Sequence, residues 1–169
     1  MKQFRTLLVA IALIIGTSSF VNAQSKVAHI ASQELVESMP AFKAAKSEIE
    51  KLNKTYDAEI RNMMLELQNT MKKYQAEAAT KTEEENAKRA QEVQATEKSI
   101  GDYRNNAIKD LQKKEIELMK PIYEKARTSI QKVARAQGFQ YVLDSTTGTG
   151  VIMADGKNLM ADVKKDLGI

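Results

Sequence analysis

Apolar and polar residues alternate at helical spacing through one long run, residues 40–138. This run contains a single internal glycine, Gly101, and a single internal proline, Pro121. About half of its residues are Ala, Glu, Lys, Leu or Arg, a composition typical of long helices. The pattern therefore predicts helix over most of the run, and the rest of the chain is expected to form its base.

The helical pattern is interrupted once, near residues 79–83. Thr82, followed three residues later by Glu85, matches a capping box, and the two glutamates between them place negative charge in the first turn of a new helix. We therefore predict two long antiparallel helices joined at this reversal. The alternative is one uninterrupted helix to residue 137, which would be very long for a soluble domain.

The apolar positions repeat every eleven residues in both predicted helices. This repeat corresponds to about 3.67 residues per turn, so the two helices should be nearly straight and pack along their length. The series are Ile49, Ile60 and Met71; Leu52, Met63 and Tyr74; Tyr56, Leu67 and Ala78; Ile100, Leu111, Ile122 and Val133; and Ile108, Met119 and Ile130. Folding the chain at residue 82 should bring Met71 near Val93. The same fold should place Phe42 near Ile122.

Two prolines mark one level of the predicted hairpin. Pro40 suits the first turn of the first helix, and Pro121 falls opposite it when the chain is folded. Because Pro121 removes one helical hydrogen bond, we interpret this level as the junction between a protruding arm and its base. Gly101, midway along the second helix, is consistent with either close packing or a flexible point.

Shorter elements flank the hairpin. The pattern predicts strands at 27–30, 139–144 and 151–154, a helix at 33–39 capped by Ser32, and a last helix from Asn158 to residue 167. Candidates for the core of the body or of an oligomer are Val27, Ile30, Phe139, Tyr141, Leu143, Val151 and Ile152. The predicted fold class is α+β and mostly α: a long antiparallel helical hairpin protruding from a small β-sheet body.

The first residues have the features of a secretory signal peptide. Lys2 and Arg5 give a positive start, and residues 7–15 are apolar but too short to span a bilayer. Small residues then lead to Ala23, after which we predict cleavage. The alternatives are a buried helix or an uncleaved anchor. We expect the mature chain to be soluble and exported, most simply to a bacterial periplasm.

The chain is thus predicted to have three parts. Residues 1–23 are the signal peptide and residues 41–121 are the helical arm. Residues 24–40 and 122–169 together form the β-rich body with its flanking helices.

Composition narrows the classes of partner. The chain has no cysteine, which excludes disulfides, thiol chemistry and thiolate metal sites. Of the 26 basic residues, two lie in residues 1–23, so 24 remain against 22 acidic residues, a formal charge of +2. Such an even mixture lacks the basic strip of a nucleic-acid-binding protein. No later segment is apolar enough to span a membrane, so we expect no nucleic-acid partner, no stable membrane insertion, and at most transient association with the envelope.

Few residues suggest catalysis. His29, the only histidine, is predicted to be a structural strand residue and not a base or a ligand. Carboxylates alternate with lysines on helical faces, as on solvated surfaces. No glycine-rich phosphate loop, metal-ligand cluster or nucleophile motif is present. We therefore predict no catalytic residue, no metal, no cofactor and no enzymatic activity.

Methionine is the most informative residue type on the arm. Its flexible thioether adapts to many apolar shapes and suits contact with varied partners. Candidates for such contact are Met63, Met64, Leu67, Met71 and Tyr74. For Met63 and Met71 we favour the simpler interpretation that they fill the seam between the helices. Met64 lies one position off the seam and is the better candidate for an exposed contact.

Together, these features resemble the Skp/OmpH family of periplasmic chaperones over nearly all of the mature sequence. The segments that carry the resemblance are 26–30 (KVAHI), 32–40 (SQELVESMP), 120–122 (KPI), 138–144 (GFQYVLD), 158–163 (NLMADV) and Leu167. Each segment is short, but their order and spacing around the long hairpin are specific.

The resemblance implies a homotrimer with a small β-rich body and three helical arms that enclose a cavity. It also implies that unfolded outer-membrane proteins are held after export, without ATP. Some members have strongly basic arms, used with acidic clients or lipopolysaccharide, whereas the glutamates at 83–85 make this tip acidic. We therefore assign no lipopolysaccharide site.

The leading functional hypothesis is an ATP-independent periplasmic holdase that binds unfolded outer-membrane proteins and prevents their aggregation. The alternative is a structural coiled-coil spacer or adaptor that joins envelope components through its tip. An enzyme is a distant third, because it would require a polar pocket in the base, near His29.

Overall fold

The structure is a computed structural model that describes residues 26–169, so the predicted signal peptide lies outside the described residues. In chain order the elements are β1 (Val27–Ile30), α1 (Ser32–Ser38), α2 (Pro40–Glu77), a 3-10 turn (Ala78–Thr80), α3 (Glu83–Ala136), β2 (Tyr141–Asp144), β3 (Lys157–Asn158) and α4 (Met160–Leu167). The predicted α+β class, a long helical hairpin with a small sheet, is confirmed.

The hairpin consists of α2, 38 residues long, and α3, 54 residues long. Pro40 occupies the first turn of α2, where a missing backbone N–H costs nothing. Pro121 lies inside α3, which nevertheless continues to Ala136. α3 is the longer helix because its last part runs past the start of α2 and packs in the body.

Polar contacts hold the reversal at the tip. The Thr82 hydroxyl accepts a hydrogen bond from the Glu85 backbone N–H at 3.2 Å, and the Glu85 carboxylate accepts one from the Thr82 backbone N–H at 3.0 Å. The predicted capping box is therefore present. The Asn86 side chain also donates to the Ala78 carbonyl at 2.9 Å. Because no non-glycine residue of the described chain has positive φ, the turn needs no glycine.

Ion pairs near both ends of the arm show how the two helices are aligned. Lys114 Nζ lies 3.0 Å from Glu48 Oε1 near the base, and Arg89 Nη2 lies 2.6 Å from Glu77 Oε2 near the tip. Both pairs correspond to folding the chain close to residue 82, so the predicted alignment is confirmed.

The seam of the hairpin is half-buried along most of the arm. Fully buried apolar residues are few there: Ala45, Ile100 and Ala107. Half-buried seam positions are Ile49, Leu52, Tyr56, Ile60, Met63, Leu67, Tyr74 and Leu111. Met71 and Ile108, predicted to lie in the seam, are 46% and 48% exposed. Two helices cover each other on one side only, so positions at the edge of the apolar stripe stay in contact with solvent.

The body contains a three-stranded parallel sheet in the order β2-β1-β3. The central strand β1 pairs Val27 with Tyr141 and Ile30 with Asp144 on one side, and Ala28 with Lys157 on the other. The predicted strand at residues 27–30 therefore lies in the middle of the sheet.

The predicted strand at residues 151–154 is wrong. This segment is irregular, and β3 forms later, at Lys157–Asn158. Because β3 runs parallel to β1, the chain must return along the sheet after β2 before β3 can begin. Residues 151–154 lie in that return. The return ends at Gly156, which lies close to β1: a Cβ atom added to this glycine would be 3.5 Å from the Val27 carbonyl oxygen.

The apolar core lies between the sheet, α1, α4 and the base of the hairpin. Its buried members are Ala28, Ile30, Leu35, Val36, Met39, Ala45, Ile122, Ala126, Val133, Ala134, Leu159 and Val163, and partly buried neighbours include Phe42, Phe139 and Val142. Phe42 and Ile122 meet in this core, as the folded alignment predicts. Of the proposed body residues, Ile30 and Phe139 also belong to it.

The other proposed body residues lie outside the core of the single chain. Val27, Tyr141 and Leu143 are 41%, 60% and 44% exposed, because successive strand residues point to opposite faces. Val151 is half-buried and Ile152 is fully exposed, since their segment is not part of the sheet. A role for these residues in an oligomer stays a prediction.

Ser32 does not cap α1 as predicted. It is the first residue of the helix, and its backbone N–H and hydroxyl both donate to the Asp144 carboxylate at the end of β2. The next backbone N–H, of Gln33, donates to the Thr146 hydroxyl at 3.3 Å. Helix α1 is therefore capped by residues that lie more than 100 positions away in sequence.

Helix α4 begins and ends close to the predicted residues. The Asn158 side chain accepts a hydrogen bond from the Met160 backbone N–H at 2.9 Å. Gly168 ends the helix in the left-handed conformation, with φ of 75°.

The hydrogen bonds to Asp144 change its acidity. Burial raises its pKa, but donors from Ser32 and Thr146 outweigh burial and lower the pKa from 3.8 to about 2. The folded-state pKa is thus below the unfolded value. Ionised Asp144 therefore stabilises the folded state fully at pH values above its unfolded-state pKa. This stabilisation is lost as the pH falls toward the folded-state pKa.

We therefore expect the free energy of unfolding to fall by on the order of 2 kcal/mol between about pH 5 and pH 2 through Asp144 alone. In Asp144→Asn the amide cannot accept from all of these donors, so the variant should be less stable at neutral pH and should lose this pH dependence. Urea denaturation followed by circular dichroism at several pH values measures both effects. Asp155→Asn is the control, because Asp155 is exposed. A stability difference between wild type and Asp144→Asn that stays constant down to pH 2 would contradict the assignment.

Candidate functional site

Large apolar side chains are exposed along the arm. On α2 these are Met64 (50%), Leu65 (56%) and Met71 (46%); on α3 they are Ile108 (48%) and Ile116 (66%). An exposed apolar residue is ordinary when isolated, but some of these residues lie beside clefts between the two helices. The arm is therefore the first candidate for a binding surface.

Open clefts lie between α2 and α3 at the middle and at the tip of the arm. The middle cleft, of about 350 Å³, is lined by Asn53, Tyr56, Asp57, Ile60, Arg61, Met64, Arg104, Ala107, Ile108 and Leu111. The tip cleft, of about 540 Å³, is lined by Met71, Tyr74, Ala78, Asn86, Arg89, Ala90, Val93, Gln94 and Glu97. Met71 and Val93 thus line one cleft, as the folded alignment predicts. Both clefts combine apolar side chains with arginine, and neither has the enclosed shape of a small-molecule pocket.

Tyrosine–carboxylate hydrogen bonds connect the two helices at the middle cleft. The Tyr56 hydroxyl donates to Asp110 Oδ2 at 2.6 Å, and the Tyr103 hydroxyl donates to Glu59. The rings of Tyr56 and Tyr103 meet edge to face, with centroids 6.0 Å apart. Each ring packs in the seam, and each hydroxyl donates a hydrogen bond to a carboxylate on the other helix.

A second group of this kind lies at the tip cleft. The Tyr74 hydroxyl donates to Glu92 Oε2 at 2.7 Å. The Arg89 guanidinium stacks on the Tyr74 ring, 4.5 Å from its centroid, and pairs with Glu77. Polar and cation–π contacts thus replace the larger apolar seam residues near the tip.

These contacts shift the acidity of the groups involved. The hydrogen bond to Asp110 raises the pKa of Tyr56, and the bond to Glu92 raises the pKa of Tyr74. The bond from Arg89 lowers the pKa of Glu77. Both tyrosines therefore stay protonated, and able to donate, throughout the physiological range.

The five predicted contact residues fall into two groups. Met63, Leu67 and Tyr74 are half-buried in the seam, whereas Met64 and Met71 are exposed at the clefts. The interpretation that Met71 fills the seam is therefore wrong, because it lies at the edge of the apolar stripe. Contact of these residues with a partner stays a prediction.

The proposed junction lies where the hairpin enters the body. Pro121 lines a shallow cleft with Ala41, Ala45 and Ile122, directly across from the start of α2 at Pro40. The two prolines thus occur at the same level, and their role as a boundary between arm and body stays a prediction.

The base contains a cleft of about 580 Å³. Apolar residues line most of it: Ile30, Val36, Tyr123, Ala126, Ile130, Ala134, Phe139 and Val142. Arg127 and Arg135 lie at its α3 side and Asp144 at its sheet side. Sequence reasoning did not find this cleft, because its walls come from segments far apart in the chain.

The structure adds nothing to a catalytic interpretation. His29 Nδ1 lies 3.0 Å from the Ser145 hydroxyl, a contact within the body. Within residues 26–169, no group of three or more His, Cys, Asp or Glu side chains is arranged to hold a metal ion. None of the helices in this range combines the length and the apolar character needed to cross a membrane.

Sequence reasoning missed the residues that join the helices. The sequence pattern predicts Tyr56 only as a seam residue, and it does not single out Tyr103, Arg89 or Asp110. A signal was available: once the chain is folded at residue 82, tyrosines in the seam face carboxylates on the other helix.

These observations define a class of protein: a long two-helix arm, with apolar clefts along it, carried by a small parallel-sheet body. The profile of the family described as "Outer membrane protein (OmpH-like)" matches residues 26–167. The chain belongs to this family.

Named relatives and a solved structure agree with this assignment. The chain is 24% identical over 155 residues to "Chaperone protein Skp" of Photorhabdus luminescens, an alignment that covers 92% of this chain and 93% of the relative. It is 25% identical over 159 residues to the protein of the same name from Photorhabdus laumondii subsp. laumondii, covering 94% and 93%. A crystal structure of a putative outer membrane chaperone (OmpH-like) from Caulobacter crescentus has a TM-score of 0.76, with 22% identity, and covers 86% of this chain and 85% of that one. This last likeness concerns the fold.

We expect Tyr56→Phe and Tyr74→Phe to loosen the arm without unfolding the body, because each removes one hydrogen bond between α2 and α3. Hydrogen–deuterium exchange measured by mass spectrometry should show faster exchange of arm amides, by a few-fold, with the body unchanged. Tyr123→Phe serves as the matched control, since Tyr123 is exposed on α3. Equal exchange in all three variants would show that the hydroxyl bonds do not hold the helices together.

Proposed function

We propose that this protein is an ATP-independent periplasmic holdase that binds unfolded outer-membrane proteins and prevents their aggregation. The observation that carries the proposal is the arm: a long hairpin with exposed, adaptable apolar side chains at its clefts. The relatives named as chaperones support it, because they align over nearly the whole chain.

The chemistry of the arm suits weak binding to many sequences. Met64 and Met71 offer flexible side chains that adapt to different apolar groups. The mixed charges around them keep the arm soluble between binding events. In this proposal release requires no nucleotide: the client leaves when a tighter interaction replaces its weak contacts with the arm.

We further propose that three copies assemble through the body, with residues 41–121 as the arm and residues 24–40 and 122–169 as the body. Strand β2 is an edge strand of the sheet, and an edge presents free backbone donors and acceptors to a neighbouring chain. Tyr123 and Tyr141 are 54% and 60% exposed nearby, and the apolar base cleft opens between α3 and the sheet. Three joined bodies would hold three arms around a shared cavity.

The periplasmic location rests on the first residues of the sequence and on the family. Lys2, Arg5 and the apolar segment 7–15 are the signals for export, and cleavage after Ala23 would release the mature chain.

The holdase proposal predicts that the mature protein suppresses light scattering when a urea-unfolded β-barrel outer-membrane protein is diluted into buffer without ATP. Met64→Ser with Met71→Ser should weaken client binding by roughly tenfold, since each change removes apolar contact area. Leu65→Ser is the matched control, because Leu65 is similarly exposed but lines neither arm cleft.

Two results would count against parts of this proposal. If the wild type does not reduce scattering, the holdase function is wrong, and a single stoichiometric envelope partner in a pull-down would then favour the spacer. If the wild type reduces scattering and the methionine variant does so equally well, the methionines are not the contact residues.

The assembly proposal predicts a solution mass three times that of the mature chain by light scattering coupled to size-exclusion chromatography. Tyr141→Glu should shift the protein toward the monomer, because it places charge in an apolar interface. Ile116→Glu, a change at an exposed apolar residue of the arm, should leave the mass unchanged. A monomeric wild type would overturn the trimer.

A further inference from the structure

The middle and tip clefts lie on the same face of the arm. On α2, Met64 lines one cleft and Met71 the other, and residues seven apart point in nearly the same direction. On α3, Ala90 and Glu97 line the tip cleft and Ile108 lines the middle cleft. The two clefts therefore belong to one strip along the hairpin.

Gly101 lies between the clefts on this strip. Steps of three or four residues lead along α3 from Glu97 through Gly101 to Arg104. A Cβ built on Gly101 meets nothing within 4 Å, and its φ is not positive. Neither close packing nor a left-handed conformation explains a glycine in the middle of a helix, where it is a poor helix former. The glycine leaves this position of α3, between the two clefts, without a side chain.

The charges along the strip favour one kind of occupant. Arg61 and Arg104 flank the exposed Met64 and Ile108, and neither arginine forms an ion pair with another of residues 26–169. Asp57 is the single carboxylate that lines this cleft. The apolar surface of the middle cleft is therefore bordered by an excess of positive charge. At the tip cleft Arg89 is paired with Glu77, and Glu97 adds a carboxylate to the lining.

Arg89 offers a further donor at the tip cleft. Its Nη2 pairs with Glu77, whereas its Nη1 is buried and donates to no acceptor among the described residues. A buried donor of this kind is costly when it is left unpaired. This nitrogen is shielded from solvent, so the guanidinium would have to turn outward before a peptide carbonyl oxygen in the tip cleft could accept from it.

We propose that this strip is a groove for one extended segment of an unfolded polypeptide, with apolar side chains and at least one acidic residue. The inference rests on the holdase function proposed above and identifies where, and for which segments, the arm binds. Apolar side chains contact Met64, Ile108 and Met71, an acidic side chain pairs with Arg61 or Arg104, and Gly101 lets the backbone pass between the clefts. The strip from Asn53 to Ala78 is about 37 Å long at 1.5 Å per helical residue, enough for about 11 extended residues.

Gly101→Leu tests the groove, because it adds bulk to the strip without a clash in the folded protein. Leucine is a good helix former and its Cβ has open space, so the thermal unfolding temperature should stay the same or rise. Asn106→Leu is the matched control: Asn106 is exposed on α3 and lines neither cleft.

The probe is a fluorescent peptide of about 11 residues in which valine and phenylalanine alternate with serine and two glutamates. A second peptide has two lysines in place of the glutamates. Fluorescence anisotropy should give about tenfold weaker binding of the acidic peptide to Gly101→Leu than to wild type or Asn106→Leu. The lysine peptide should bind wild type more weakly than the acidic one, and added salt should reduce the difference.

Each result separates the groove from the general function. If Gly101→Leu binds the acidic peptide as tightly as wild type while wild type still suppresses aggregation, the groove is wrong and the holdase function stands. Equal losses of peptide binding in Gly101→Leu and Asn106→Leu would also overturn the groove, because the loss would then not depend on which face of α3 carries the leucine. A changed solution mass of Gly101→Leu would assign the strip to contact between copies of the chain instead. If wild type neither binds peptide nor suppresses aggregation, the holdase function itself fails.

Discussion

The contact between α2 and α3 is the interaction on which the arm depends. Two helices that protrude from a small body can bury only one side of each other, and most of the seam here is half-buried. Hydrophobic burial alone would leave such a seam free to slide. The hydrogen bonds of Tyr56, Tyr74 and Tyr103 to carboxylates on the opposite helix fix the alignment at defined points. Because the bonds are local and close to solvent, each contributes modestly, and the arm keeps some freedom to bend.

The same incomplete burial creates the candidate site. An arm packed as tightly as a globular core would offer no apolar surface to a partner. Here the side chains at the edge of the stripe, Met64, Met71 and Ile108, remain 46–50% exposed. Together with the flanking arginines they form clefts that are open and adaptable, in contrast to an enclosed pocket. The limited burial in a two-helix hairpin and the exposed apolar surface on which the proposed function depends thus have one cause.

The body meets a different requirement, which is to anchor both ends of the hairpin in little more than sixty residues. It does so with contacts between segments far apart in sequence. Asp144 at the end of β2 binds the first turn of α1, and the Ser129 hydroxyl and Lys132 of α3 bind Asp166 of α4. These bonds connect the sheet, the short helices and the base of the arm. Strands β2 and β3 each pair on one side only, and several large apolar side chains of the body are exposed. The proposed assembly of three copies would use such features.

The sequence by itself determined the features that depend on neighbours along the chain. Helical periodicity, the capping box at Thr82, and the spacing that folds the chain at residue 82 are local signals, and the hairpin agrees with them. Tertiary structure decided what depends on distant segments. The direction of β3 moved the last strand from residues 151–154 to Lys157–Asn158, because a parallel strand needs a return connection. Asp144 replaced Ser32 as the cap of α1, and Met71 is exposed because it lies at the edge of the apolar stripe. Periodicity shows which side of a helix is apolar, but only the packed pair shows how much of that side its partner covers.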